Sequence, residues 1–173
     1  MAEISFRKAI PSDSLRISVL LKTVYVQTYA VEGVTFEFAN FITNRFAASL
    51  IEKNIRAHPD RVLLACFNEN PVGVAEIIYE SNCPIRNISV PELSKLYLLE
   101  RFYGKGMGYG LLKEVEKQLA LRGHKELNLE VYVHNDRAIS FYKRQGYTTL
   151  GMVDFPMESN TYKNWVMSKK LDQ

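Results

Sequence analysis

Glycines occupy alternate positions in the run Tyr103-Gly104-Lys105-Gly106-Met107-Gly108-Tyr109-Gly110, between an apolar strand-like segment and a segment of helical periodicity. Residues without a Cβ let the backbone approach a ligand closely. A helix that begins there offers unpaired N–H groups and the positive end of its dipole, which suits a pyrophosphate. Lys105 and Lys113 add positive charge. A Walker loop requires Gly-Lys-Ser/Thr, which is absent. A dinucleotide fingerprint requires G-x-G-x-x-G, and in the two registers open to it the third glycine falls on Tyr109 or Leu111. Two readings are left: a loop for the pyrophosphate of another kind of ligand, and a plain strand-to-helix turn.

A second cluster follows. Asn135, Ala138, Phe141 and Tyr142 lie on a short helix that ends at Gly146-Tyr147. Asn135 and Tyr142 are about two helical turns apart and share a face. For Tyr142 taken alone, core packing is the better reading. The strand before it alternates, with Leu129, Val131 and Val133 on one face and Glu130, Tyr132 and His134 on the other.

Positioning these groups falls to the surrounding elements. Ile4 to Ala9 reads as a strand, and Pro11-Ser12-Asp13 starts a helix running to about Tyr29. A single helical stretch is expected over Phe36 to Arg56. Arg61 to Phe67 and Val72 to Tyr79 form a hairpin, with Gly73 marking a bulge. Ser81 to Pro91 reads as a loop and Leu93 to Leu99 as a strand. After the glycines, Leu111, Leu112, Val115 and Leu119 define a helix stopped by Gly123. A strand over Glu126 to Val133, the helix capped by Asn135, and strands over Tyr147 to Val153 and Tyr162 to Ser168 complete the chain. The expectation is one α/β domain over residues 1–173.

Composition is ordinary for a globular chain of 173 residues, 47% hydrophobic and 24% charged with a net charge of +3. The basic residues are scattered, which argues against a nucleic-acid partner. No apolar stretch approaches a membrane span, and no signal-peptide core is present, so the expected location is cytoplasmic. Cys66 and Cys83 suggest no disulfide framework, and the histidines show no metal-ligand spacing.

The stretch Leu93 to Tyr147 resembles the GNAT superfamily of acyl-CoA-dependent N-acyltransferases. Its acyl-CoA motif, a strand then Q/R-x-x-G-x-G/A then a helix, is matched by Gly106 and Gly108, with Tyr103 where Gln or Arg is usual. Its second motif, N-x-x-A-x-x-F/L-Y followed by G-F/Y, is matched throughout by Asn135, Ala138, Phe141, Tyr142 and Gly146-Tyr147. The resemblance implies a mixed, mostly antiparallel sheet of about six or seven strands with about four flanking helices and a splayed central strand pair. It implies acetyl-CoA as cosubstrate. The backbone of Leu96, Tyr97 and Leu98 would bond the pantetheine arm and polarise the thioester carbonyl. The loop Gly104, Lys105, Gly106, Met107, Gly108 and Tyr109 would hold the pyrophosphate, and Asn135 would bond the cofactor arm or fix the strand end. Backbone groups dominate that loop, so Tyr103 should cost one side-chain contact at most.

Acetyl transfer to an amine requires a proton acceptor for the amine, a donor for the developing oxyanion and a proton for the departing thiolate. Tyr142 suits the last task, in line with family practice. Glu130 is the first choice for the base and Glu76 its rival. Val26-Gln27-Thr28-Tyr29, Glu92 to Tyr97 and Asn164 to Lys170 look closest to the PaiA-type polyamine acetyltransferases, with Glu32, Glu37, Glu76 and Glu80 available for a polycation. The expected partner is a small-molecule amine. Protein N-termini, amino acids, other amines and a non-catalytic CoA sensor stay open, as does a homodimer.

Overall fold

The computed structural model describes residues 3–156 and 161–171. The strands are β1 (Ile4–Lys8), β2 (Val62–Phe67), β3 (Asn70–Asn82), β4 (Ser89–Leu98), β5 (Glu126–Tyr132), β6 (Thr148–Pro156) and β7 (Thr161–Lys170). The helices are α1 (Ser14–Tyr29), α2 (Phe36–Arg45), α3 (Ala48–Ala57), α4 (Met107–Leu121) and α5 (Asp136–Arg144), with 3-10 turns at Pro11–Asp13 and Glu100–Phe102. The strands form a mixed seven-stranded sheet in the order β1-β2-β3-β4-β5-β7-β6. β4 and β5 pair in parallel at Glu92↔Asn128 and Leu93↔Leu129, and each strand continues past those pairs. The pairs β1–β2, β2–β3, β5–β7 and β6–β7 are antiparallel. The fold class expected from the sequence holds. No helix among the described residues is long and apolar enough to cross a membrane.

Two local expectations are corrected. The single helical stretch over Phe36 to Arg56 is two helices, α2 and α3, broken at Phe46-Ala47. Phe46 is buried with its ring 4.6 Å from that of Tyr25, and its carbonyl accepts the Ser18 hydroxyl at 2.5 Å. That carbonyl is committed to α1, so the chain turns there. The loop expected over Ser81 to Pro91 is shorter, because β3 runs to Asn82 and β4 begins at Ser89. The turn between them is closed by the amides of Cys83 and Asn87, which donate to Ile88 O and Cys83 O at 2.8 Å.

The chain divides into two compact units, Met1–Glu76 with Lys95–Val115, and Ile77–Ser94 with Glu116–Gln173. In the first, α1, α2 and α3 bury Ile17, Leu20, Leu21, Val24, Ile42 and Ile55 with the apolar residues of β2. Asp13 is fully buried there, salt-bridged to Arg7 at 2.7 Å and Arg16 at 2.6 Å. Burial opposes its charge, yet the Arg7 guanidinium, the Ile10 amide and Arg16 outweigh burial and hold the carboxyl below its ordinary range. The bulge expected at Gly73 falls beside it. Ala65 pairs with Gly73 and Cys66 with Pro71, which leaves Val72 as the extra residue. Gly73 itself serves a close approach, since a Cβ there would stand 2.7 Å from Leu98 Cδ1 and 3.1 Å from Tyr97 O. The end of β4 therefore lies hard against β3, and the Leu99 amide donates to Val72 O at 2.8 Å.

In the second unit, β7 lies between β5 and β6, and Cys83, Val90 and Val166 form a small core. α4 ends with Gly123 at φ +81°, the Gly123 and His124 amides donating to Ala120 O and Leu119 O.

The start of α4 is seated in the first unit by Gly110, where a Cβ would fall 2.3 Å from Phe6 Cζ. Helix propensity alone favours Gly110→Ala, but the overlap should dominate and destabilise the protein by about 1–3 kcal/mol. A thermal melt checks this, and an unchanged or raised midpoint would show that the Phe6 ring moves aside at little cost.

Candidate active site

The glycine run begins where the 3-10 turn Glu100–Phe102 ends. Tyr103 caps that turn through its amide, which donates to Glu100 O at 3.0 Å. Gly104 and Gly106 then adopt φ +71° and +76°, where any side chain would be strained. α4 starts at Met107, whose buried side chain anchors its first turn, and the Gly110 amide donates back to Gly106 O at 2.9 Å. The glycines thus have separate tasks. Gly104 and Gly106 supply conformation, and Gly110 supplies packing space for Phe6. Gly108 does neither: its φ is ordinary and a Cβ there would meet no atom within 4 Å. Gly108 leaves open space beside the first turn of α4, whose leading amides lack intrahelical partners. Lys105 and Lys113 lie over the rings of Phe102 and Tyr109, at 5.2 Å and 5.6 Å.

On β4, Leu98 is buried and Leu96 half-buried. Tyr97 carries a hydroxyl 3.2 Å from that of Tyr29 and donates to that of Tyr25 at 3.4 Å. Burial, and the neighbouring tyrosines with it, push the Tyr97 phenol well above its ordinary range, so this cluster stays protonated.

α5 is fixed at both ends. Asn135 Oδ1 accepts the Ala138 amide at 3.2 Å, the capping bond its position calls for. At the other end Gly146, at φ +89°, reverses the chain, and the Tyr147 amide donates to Tyr142 O at 3.0 Å. Tyr142 is buried at 8% exposure, with its ring 5.6 Å from that of Tyr147.

The alternation expected over β5 holds for Leu129 and Val131, buried, against Glu130, exposed; Asn128 on the face of Glu130 is buried as well, and Val133 and His134 lie past the end of the strand. Glu130 accepts from Asn164 Nδ2 at 3.3 Å. Glu92, expected at the start of the central strand, is not among the site residues expected from the sequence. It lies in β4, level with Asn128, and accepts the Ser81 hydroxyl at 2.5 Å. Glu92, Asn128, Glu130, Ser81 and Val166 line one small pocket. Asn128 Nδ2 is buried and has no hydrogen-bond partner among the described residues. The alternation of Glu92, Leu93 and Ser94 was a usable signal for the place of Glu92 in the strand, cut short by Pro91, which argues against a strand interior. Glu76 is committed elsewhere, salt-bridged to Lys95 and accepting from Asn54 Nδ2 at 2.9 Å. Of the other acidic candidates, Glu32 follows α1, Glu37 lies in the first turn of α2, and Glu80 is exposed on β3.

Comparison with known proteins matches these features. Residues 26–147 fit the model of the acetyltransferase (GNAT) family. An uncharacterized N-acetyltransferase of Mycobacterium tuberculosis is 30% identical over 138 residues, covering 79% of this chain and 81% of that protein. The spermine/spermidine N(1)-acetyltransferase of Bacillus subtilis is 36% identical over 64 residues, covering 36% of this chain and 42% of that protein. The fold superimposes on the PaiA N-acetyltransferase of Thermoplasma acidophilum, solved in complex with coenzyme A, with a TM-score of 0.74 and 23% identity over 97% of this chain and 99% of that one. With a glycine loop opening the N-terminus of α4, a tyrosine fixed on α5 and a family match across both, the chain belongs to the acetyltransferase (GNAT) family.

Proposed function

We propose that this acetyltransferase moves the acetyl group of acetyl-CoA to a primary amine of a small molecule, in one catalytic domain and in the cytoplasm. The observation that carries the reading is the entry to α4, where Gly104 and Gly106 take left-handed conformations and nothing packs beside Gly108. The fit is physical: a pyrophosphate supplies the acceptor oxygens that helix N-terminal amides lack, and its charge suits the dipole and the nearby Lys105. Gly104 to Tyr109 hold it through the backbone. The backbone of Leu96, Tyr97 and Leu98 bonds the pantetheine arm and polarises the thioester carbonyl, and the close packing of Gly73 on Leu98 keeps that strand end in place.

Tyr142 donates its phenolic proton to the departing thiolate. Its reference pKa of ~10 lies above the ~8.5 of a thiol, so transfer accompanies bond breaking and does not precede it. Asn135 acts by fixing the start of the helix that carries Tyr142 and, in this reading, bonds the cofactor arm. Glu130 takes the amine proton. Glu92 is a second reading for that role, favoured by its place in the same pocket. For the acceptor we favour a polyamine, on the strength of the Bacillus subtilis relative.

The motif admits Gly or Ala at Gly108, so a long side chain is the test, and Gly108→Gln should separate stability from binding. With open space around the Cβ and a gain in helix propensity, the melting temperature of the unliganded protein should hold or rise, by the equivalent of about 0.5–1 kcal/mol at most. The stabilisation by acetyl-CoA should shrink, because the long side chain obstructs the amides. An undiminished ligand shift would place the pyrophosphate elsewhere. Tyr142→Phe should lower kcat by about ten- to a thousandfold while leaving acetyl-CoA affinity nearly unchanged. Near-parent turnover at saturation would assign protonation of the thiolate to another group. A pH series of spermidine acetylation, read by thiol release, tests base and acceptor together. Polyamine amines have pKa values of ~10, so loss of the base should move the profile upward, toward free amine. Glu130→Gln should do so and Glu92→Gln should not; the reverse result exchanges their roles. No thiol release from spermidine by the parent protein, with release from other amines, would remove the polyamine alone.

A further inference from the structure

Tyr147 closes the turn after α5, and its ring comes back against Tyr142 because Gly146 adopts φ +89°. Two contacts tie the residues: the Tyr147 amide donates to Tyr142 O at 3.0 Å, and the rings meet edge to face at 64°. Tyr147 is 2% exposed, and a phenylalanine would fill the same space. Its hydroxyl nevertheless has a dedicated partner, donating to Glu116 Oε1 at 3.1 Å. Glu116, 8% exposed on α4, is held in turn by Lys169 Nζ of β7, at 2.8 Å from Oε1 and 2.9 Å from Oε2. The Lys169 ammonium also lies 5.6 Å from the centre of the Tyr147 ring. Burial and the Glu116 carboxylate push the Tyr147 phenol far above its ordinary range, so it remains a donor through alkaline pH.

An ion pair in such a place is a poor device for stability alone, since apolar groups of equal volume serve as well or better. What it supplies is direction. The carboxylate, gripped at both oxygens, leaves the Tyr147 ring one orientation, and that ring borders Tyr142. We infer that Glu116, Lys169 and Tyr147 form a positioning chain that sets the ring of Tyr142 for proton donation. The inference rests on the reading of Tyr142 as the acid.

The test is a double-mutant cycle. Tyr147→Phe, made alone, should lower kcat by about ten- to a hundredfold, the scale of a small misplacement, with the KM for acetyl-CoA within about twofold of the parent. In the Tyr142→Phe background the same change should have no further effect on kcat, because there is no hydroxyl left to aim. Thermal melts of all variants with and without acetyl-CoA report folding. Should Tyr147→Phe not fold, Glu116→Gln keeps an oxygen for the Tyr147 hydroxyl but loosens the grip of Lys169, and it should give a smaller loss with the same dependence on Tyr142. Additive losses in kcat would overturn the positioning chain while leaving Tyr142 as the acid. A Tyr142→Phe variant with parent kcat would overturn the acid reading and the chain with it.

Discussion

The first turn of α4 is the constraint on which the proposed donor half of the site depends. A helix N-terminus binds an anion only if its amides are held still and kept open. Met107 and Gly110 hold it, one by inserting a buried side chain and the other by letting Phe6 of β1 lie on a bare Cα. Gly104 and Gly106 bend the chain into the helix through conformations that side chains resist. A backbone held in this way would lose little ordering entropy to a ligand bound as proposed.

The same logic governs the end of β4. Val72 is extruded as a bulge, Gly73 admits Leu98 at close range, and the Leu99 amide is taken by Val72 O. A bulge bends its strand and interrupts the ladder only locally, so the adjoining strand end is re-aimed while the rest of the pairing continues. Here the sequence paired a flexible residue type with a site of tight packing. Flexibility in the unfolded chain and closeness in the folded one are two consequences of the same missing side chain.

In the second unit the organising feature is electrostatic. Glu116 and Lys169 come from α4 and β7, and Tyr147 from the turn after α5, so one buried pair joins three elements at the back of Tyr142. On the opposite alternation of β5 lie Asn128 and Glu130, with Glu92 brought level by a parallel pairing two residues long. Glu130 and Glu116 are of one residue type in different surroundings: one is exposed and accepts from Asn164, the other is buried and held by Lys169.

Whatever rests on neighbours in sequence was legible without coordinates. Asn135 caps α5 and Gly123 and Gly146 end their helices because those bonds span only a few residues. The alternation of β5 followed from its period of two, and the spacing of the two motifs carried the family. Residues distant in sequence were a different matter. That Glu76 is spent on Lys95 and Asn54, that Glu92 stands level with Asn128, and that Phe46 is bound by Ser18 and splits a helix in two are all decided by register and packing. Nothing local distinguishes Gly108 from Gly110 either; only the arrival of Phe6 from the first strand gives one a packing role and leaves the other bare. Local geometry is set by the backbone preferences of adjacent residues, whereas the partner of a side chain is set by which distant element the fold brings beside it.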